Sequence, residues 1–236
     1  MGRNNFFQFK QFRIVQQKAA MKVGIDGVLL GAWADVGSES RILDVGAGTG
    51  LLALMMAQRT KAQVDAVEID ADAATEAQSN FDESPWANRL RVYRQSFQEY
   101  ESECRYDHLI SNPPFFDEAP QSPDQKRARA RHADSLSLEE LLEKSVGLLA
   151  DCGKLSLVLP ADKEERLRSI ARSLDFYVTR FARVFPDETK KSHRILVELS
   201  RKNTVGWIES IYIRERATGV YTDQYRTLTK GFYLAF

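Results

Sequence analysis

Asn112-Pro113-Pro114-Phe115 directly follows the apolar run Tyr106-Asp107-His108-Leu109-Ile110-Ser111. An amide, two prolines and an aromatic ring at a strand end can form a rigid clamp for a planar amine, with hydrogen bonds on one side and ring stacking on the other. The prolines fix φ and bring no N–H, so the carbonyls around them remain acceptors. Asn112 precedes a proline and is driven toward extended backbone, which suits the last residue of a strand. Taken alone, Asn-Pro-Pro is also a turn signal. A second motif upstream changes the balance. Asp44-Val45-Gly46-Ala47-Gly48-Thr49-Gly50 follows the apolar pair Ile42-Leu43 and opens the helical stretch Leu51 to Arg59. Strand, glycine loop and helix in that order make a ligand site, because glycine lets a ligand approach the backbone without Cβ obstruction. A dinucleotide loop needs glycine where Leu51 stands. The acid two positions ahead of Gly46 suits a cationic ligand group better than a pyrophosphate.

The elements that must position these motifs alternate along the chain. Strands are expected near 41–45, 63–69, 90–95, 106–111, 153–160, 175–185 and 193–201, and helices near 26–34, 49–59, 70–82, 136–150 and 162–173. This order argues for βα units and a mainly parallel sheet. The link Phe185 to Ser192 is too short for a crossover helix, so the last two strands should form an antiparallel hairpin. Ser137-Leu138-Glu139-Glu140 has the form of a helix-start cap, and Gly153 stands where that helix should end. Gln63 to Asp70 is a buried strand ending in acids. Glu68 falls ~20 residues beyond the glycine loop, where an acid accepts from ribose hydroxyls, while Asp70 is placed to cap the next helix. Residues 112–135 form a long loop of the kind that carries function.

Together these residues resemble a class I S-adenosylmethionine-dependent methyltransferase of the N6-adenine type. Two further segments narrow the resemblance. They are Phe9-Lys10-Gln11-Phe12 with Gln16-Gln17 and Lys22 through Trp33, and the tail Tyr221 through Lys230 to Phe236. The chain is similar along nearly its whole length to the bacterial tRNA(Val) adenine-N6 methyltransferase family, which modifies the adenine beside the anticodon. The resemblance implies a single domain over 1–236, with 1–33 as an N-terminal lid. It also implies a Rossmann-like, seven-stranded α/β sheet, mostly parallel with a C-terminal antiparallel hairpin, and S-adenosyl-L-methionine as cofactor.

The same resemblance assigns site residues. Asn112 and Pro113 would accept the two hydrogens of the exocyclic amine, Asn112 would also bind the cofactor, and Phe115 would stack on the adenine. Asp44 would face the methionine ammonium, Gly46 and Gly48 would admit the cofactor, and Glu68 would hold its ribose. Ser96 and Phe97 would border the cofactor's adenine, although the family more often has an acid where Ser96 stands and Phe97 equally suits the core. Lys22 and Asp26 would belong to the lid, or else be a surface charge and a helix cap. The same motif serves enzymes that methylate the glutamine amide of release factors, which usually have Tyr where Phe115 stands. A non-catalytic RNA-binding subunit with this fold is the alternative from outside the enzymes.

Composition sets the outer bounds. A chain of 236 residues that is 43% apolar can bury one substantial core. No stretch reaches the ~20 apolar residues of a membrane span, and the N-terminus lacks the apolar run of a signal peptide. Cys104 and Cys152 form no Cys-x-x-Cys pair and the three histidines are scattered, so no metal site is expected. A cytoplasmic protein, monomeric or weakly dimeric, is the expectation. The 33 basic residues balance 33 acidic ones, so any RNA contact must come from local clusters. Lys126, Arg127, Arg129 and Arg131 form the densest of these, just past the clamp, where they would neutralise phosphates of the tRNA anticodon loop. Further cations lie at 180–194 and among the phenylalanines at 6–12.

Overall fold

The computed structural model describes residues 5–113, 136–204 and 206–236. A small antiparallel hairpin comes first, β1 (Phe6–Gln8) with β2 (Arg13–Val15). Helix α1 (Ile25–Trp33) leads into β3 (Arg41–Val45), α2 (Leu51–Arg59), β4 (Gln63–Glu68), α3 (Ala71–Asp82), β5 (Leu90–Arg94) and β6 (Tyr106–Ser111). Then follow α4 (Leu138–Leu148), β7 (Leu149–Pro160), α5 (Glu164–Ser173), β8 (Tyr177–Phe185), β9 (Arg194–Ser200), β10 (Trp207–Tyr212) and α6 (Asp223–Thr229).

The main sheet runs β10-β8-β9-β7-β6-β3-β4-β5. Only β9 is antiparallel to its neighbours, β7 and β8. All seven expected strands form, including the terminal hairpin, and β10 adds an eighth by pairing parallel with β8. The seven-stranded expectation is corrected by that one edge strand, which reads weakly because Trp207, Ile208 and Ser210 are exposed.

Alternation along the strands splits the interior in two, as the period-two pleat requires. Ile42, Val64, Ala66 and Ile110 pack with α1 and α2, whereas Leu43, Val45, Val67 and Leu109 pack with α4 and α5. The two sides of one strand thus anchor different helix layers. Ser137 and Glu140 do form a reciprocal cap at the start of α4. Its end was misread: the helix stops at Leu148 and β7 begins at Leu149 without a turn. Gly153 sits inside β7, where a Cβ would meet the Tyr106 carbonyl oxygen at 2.9 Å, so it serves strand packing and not a helix end.

No helix among the described residues is long and apolar enough to cross a membrane.

Candidate active site

Parallel strands bring both motifs to one edge. Asp44 pairs across the sheet with Ile110, two residues before Asn112. Next to Asn112, the Ser111 hydroxyl donates to the Val45 carbonyl at 2.7 Å, fixing the end of β6 to the residue that starts the glycine loop. Ligands bind at such carboxyl ends of a doubly wound sheet.

The glycine loop hangs from the end of β4. Gly46 and Ala47 donate backbone N–H to the Val67 carbonyl at 2.9 and 3.1 Å. Glu68 accepts from the Gly48 N–H at 2.7 Å and from the Asp70 N–H at 2.8 Å. Asp70 caps α3 by accepting from Ala73 at 2.9 Å, as expected. Gly50 precedes α2 with φ +84°, and a Cβ there would stand 2.4 Å from the Phe81 ring. With glycine required, Gly50 has no side chain to cap α2. Asp44 supplies that cap from the neighbouring strand, accepting the Ala53 N–H at 2.9 Å.

The other carboxylate oxygen of Asp44, Oδ1, is buried without a hydrogen-bond partner. Burial, with a smaller push from Glu68 against the pull of the Ala53 N–H, raises this carboxyl to about 7. A fully buried acid with one bare oxygen is suited to a cation. Gly46 and Gly48 both take left-handed backbone, and a Cβ at either would meet no atom within 4 Å. Open space over a glycine loop, an unmatched buried carboxylate oxygen and an acid at the end of β4 fit a ligand with a cationic group and a ribose.

The N-terminal segment is tied to this loop through α3. Glu76 accepts backbone N–H from Gln17 at 2.6 Å, Lys18 at 2.7 Å and Ala19 at 3.0 Å. One helical turn on, Asn80 accepts from Val15 N–H at 2.8 Å and donates to the Val15 and Thr49 carbonyls at 3.0 and 2.9 Å. Thr49 lies in the glycine loop, so Asn80 joins that loop to the N-terminal segment directly. Neither residue was a sequence candidate. On a helix with so many polar residues they read as solvated, and their partners lie 31 to 65 positions earlier.

Beyond Gln16 the chain enters a cleft of about 290 Å³. Among the described residues it is lined by Met21, Lys22, Gly24 to Gly27, Asn112, His193 and Ile213. Lys22 donates to the Gln16 carbonyl at 2.6 Å, and Asp26 accepts from Arg194 Nε at 2.8 Å. Asp26 lies in the first turn of α1, whose N-cap is Gly24, so it is not the cap itself. Asn112 Oδ1 is buried without a hydrogen-bond partner. Its Nδ2 lies 3.7 Å from where a Gly27 Cβ would be, and Leu51 of α2 lies 3.0 Å from that point, so α1, α2 and the clamp meet there. Pro113 is buried beside it.

Two other candidates have local partners. Ser96 Oγ donates to Glu99 and accepts the Glu99 N–H, organising the turn after β5. Phe97 is buried in the core between the sheet and α4. Pro114, Phe115 and the basic group Lys126, Arg127, Arg129 and Arg131 lie outside the described residues. Several cations of the 180–194 stretch are paired with acids: Arg180 with Glu209, Arg183 with Glu164 and Arg194 with Asp26. Phe9 and Phe12 stack on each other within the core. The described residues hold no cluster of three or more His, Cys, Asp or Glu side chains arranged for a metal ion.

Known proteins are similar to this chain. Residues 27–175 match the family model described as a methyltransferase small domain. A tRNA1(Val) (adenine(37)-N6)-methyltransferase from Parabacteroides distasonis is 46% identical, over 98% of both chains. One from Trichodesmium erythraeum is 43% identical over the full length of both. Among solved structures, a predicted O-methyltransferase from Agrobacterium tumefaciens superposes with a TM-score of 0.68 at 19% identity, covering 88% of this chain and 96% of its own. A glycopeptide N-methyltransferase in complex with S-adenosyl-L-methionine gives a TM-score of 0.54 at 13% identity, covering 75% of this chain and 95% of its own. These two share the fold.

Proposed function

The chain belongs to the tRNA1(Val) (adenine(37)-N6)-methyltransferase family, and from that premise we propose how its residues divide the work. The reaction moves a methyl group from S-adenosyl-L-methionine to the exocyclic N6 of adenine-37 of tRNA1(Val). The observation that carries the residue assignment is the buried, unpartnered Oδ1 of Asn112 at the carboxyl end of β6, beside the glycine loop.

When bound, S-adenosyl-L-methionine supplies an electrophilic sulfonium methyl. Asp44 Oδ1 would take the cofactor's ammonium, the loop at Gly46 and Gly48 would give it room, and Glu68, while holding Gly48, would accept from ribose hydroxyls. Lys22 and Asp26 shape the neighbouring wall of the cleft. For Ser96 and Phe97 the local bonding favours a structural part, setting the edge of the site from below.

The adenine amine is a poor nucleophile because its lone pair is delocalised into the ring. Asn112 Oδ1 accepts one N6 hydrogen and the Pro113 carbonyl the other, which favours a pyramidal nitrogen and localises the lone pair. Phe115 stacks on the base, a contact worth about 1–3 kcal/mol in single-strand binders. Fixing the amine in this orientation contributes several kcal/mol, on the order of 7 in favourable intramolecular cases. The nitrogen becomes cationic on attack and releases its proton afterwards, so no strong base is needed beforehand. Lys126, Arg127, Arg129 and Arg131 would meet the anticodon-loop phosphates. The setting this implies is the cytoplasm, with the protein acting as a monomer or weak homodimer.

The test is methyl transfer from labelled cofactor to unmodified tRNA1(Val), with a release factor alongside. N6-methyladenosine at position 37 is expected. Label on the release factor alone would replace the substrate and keep the clamp. Cofactor binding with no label on either would favour an RNA-binding subunit that does no chemistry.

A further inference from the structure

His193 borders the same cleft as Asn112, and nothing in the clamp uses it. Its backbone is already committed: the N–H donates to the Val184 carbonyl at 3.1 Å and the carbonyl accepts from Ala161 at 3.2 Å. What the residue offers the cleft is its side chain. The Nδ1 atom is buried and has no hydrogen-bond partner among the described residues. Buried polar atoms without partners are rare in proteins and call for an explanation. Here two of them, Asn112 Oδ1 and His193 Nδ1, belong to residues lining one cleft.

The protonation state follows from the surroundings. Burial, then the charge of Arg194, lowers the His193 pKa, against weaker opposite effects of Asp26 and of the Val184 carbonyl near the ring. Nδ1 does not meet hydrogen-bond geometry with that carbonyl, and the Asp26 carboxylate is engaged by Arg194. The ring is therefore neutral near pH 7, and in the tautomer with its proton on Nδ1 that buried atom is a donor without a partner. Lys22, another donor on the cleft wall, gives a hydrogen to Gln16.

The chemistry of the base says what such a group meets. The amine of adenine is flanked by two ring nitrogens, N1 and N7, both acceptors. A site that takes the amine hydrogens on Asn112 is completed by a donor facing one of them. Guanine carries an N–H at its N1 position and a carbonyl in place of the amine, so this pair of groups selects adenine.

We propose that His193 is the base-reading partner of Asn112, donating its imidazole N–H to N1 or N7 of the target adenine and so holding the ring while Asn112 takes the amine. The proposal rests on the adenine-N6 reading above and adds a specificity residue to it.

The experiment uses an anticodon stem-loop RNA with adenosine, 1-deazaadenosine or 7-deazaadenosine at the target position, methylated by wild type, His193→Phe and His193→Asn. Phenylalanine keeps a ring without nitrogen, while asparagine restores a polar group near Nδ1. With adenosine, His193→Phe is expected to lower kcat/KM roughly three- to tenfold, the loss of one neutral hydrogen bond, with cofactor affinity and melting temperature unchanged. His193→Asn recovers most of that loss. One deaza analogue should slow the wild type by a similar factor and slow His193→Phe no further, because the bond is already gone. If both analogues slow His193→Phe as much as they slow the wild type, or if His193→Phe equals the wild type on adenosine, the proposal is wrong. If the wild type methylates no adenosine RNA at all, the adenine reading itself falls and takes this role with it.

Discussion

On the glycine-loop side, the side chains that shape the site are themselves held. Glu68 accepts from Gly48 and Asp70, Glu76 from three successive N–H groups, and Asn80 joins Val15 to Thr49. On the cleft side, Asn112 Oδ1 and His193 Nδ1 are buried and bare. The contrast separates two kinds of preparation. On the proposed reading, the cofactor half is organised by the protein's own hydrogen bonds before any ligand arrives, with Asp44 Oδ1 left bare. On the same reading, the acceptor half keeps polar atoms whose partners come with the substrate, and each such atom costs stability, about 1–3 kcal/mol, until it is met.

If the halves differ in this way, substitutions on the first should cost folding and cofactor affinity together. Gly50→Ala has the largest expected effect. It puts a Cβ 2.4 Å from the Phe81 ring in left-handed backbone, at a combined cost of about 2–5 kcal/mol. Thermal melting should show a drop of more than 5 °C, and an unchanged melting temperature would mean that the loop yields easily. Glu76→Gln comes next. A neutral acceptor replaces a carboxylate that takes three N–H bonds, at a cost of about 1–2 kcal/mol. Hydrogen exchange should quicken at Gln17, Lys18 and Ala19, and cofactor KM should rise several-fold with kcat at saturation little changed.

Asp44 gives the most specific effect. Its carboxyl titrates near 7 in the folded chain against an ordinary 3.8, so between those values the folded state holds the extra proton. Stability of the cofactor-free protein should therefore fall as pH rises from about 4 to 7. Binding a cation needs the ionised form, so cofactor affinity should rise roughly fivefold from pH 6 to 7, before the ligand's own amine begins to lose its charge. Calorimetry checks both, and Asp44→Asn should flatten both curves. A pH-independent affinity in the wild type would detach Asp44 from the ligand's charge.

What could be read from the sequence followed locality. Strand, glycine loop and helix are contiguous, as are β6 and Asn112, so both motifs and the sheet that aligns them were legible. Edge strand β10 was not, because its exposed outer positions blur the alternation that marks a strand. There Gln224 of α6 covers the edge, accepting from the Tyr212 N–H and donating to the Ser210 carbonyl. Gly153 was misread because a helix and a strand meet with no intervening turn. Glu76, Asn80 and His193 were missed for a shared reason: each acts on residues distant in sequence, and nothing in their immediate neighbours marks them. His193 in particular is a lone histidine until the fold brings it, just ahead of β9, to the cleft that Asn112 also lines.

The central claim is that the two halves are separable at Asn112. The most direct measurement is Asn112→Ala, with cofactor affinity by titration calorimetry and methyl transfer to unmodified tRNA1(Val) measured on the same preparation. Transfer lowered about 100-fold or more, the scale of losing one group that acts chiefly in the transition state, with cofactor affinity within twofold of wild type and no loss of melting temperature, is the predicted result. Cofactor affinity lost in step with transfer would contradict it and make Asn112 part of the cofactor half.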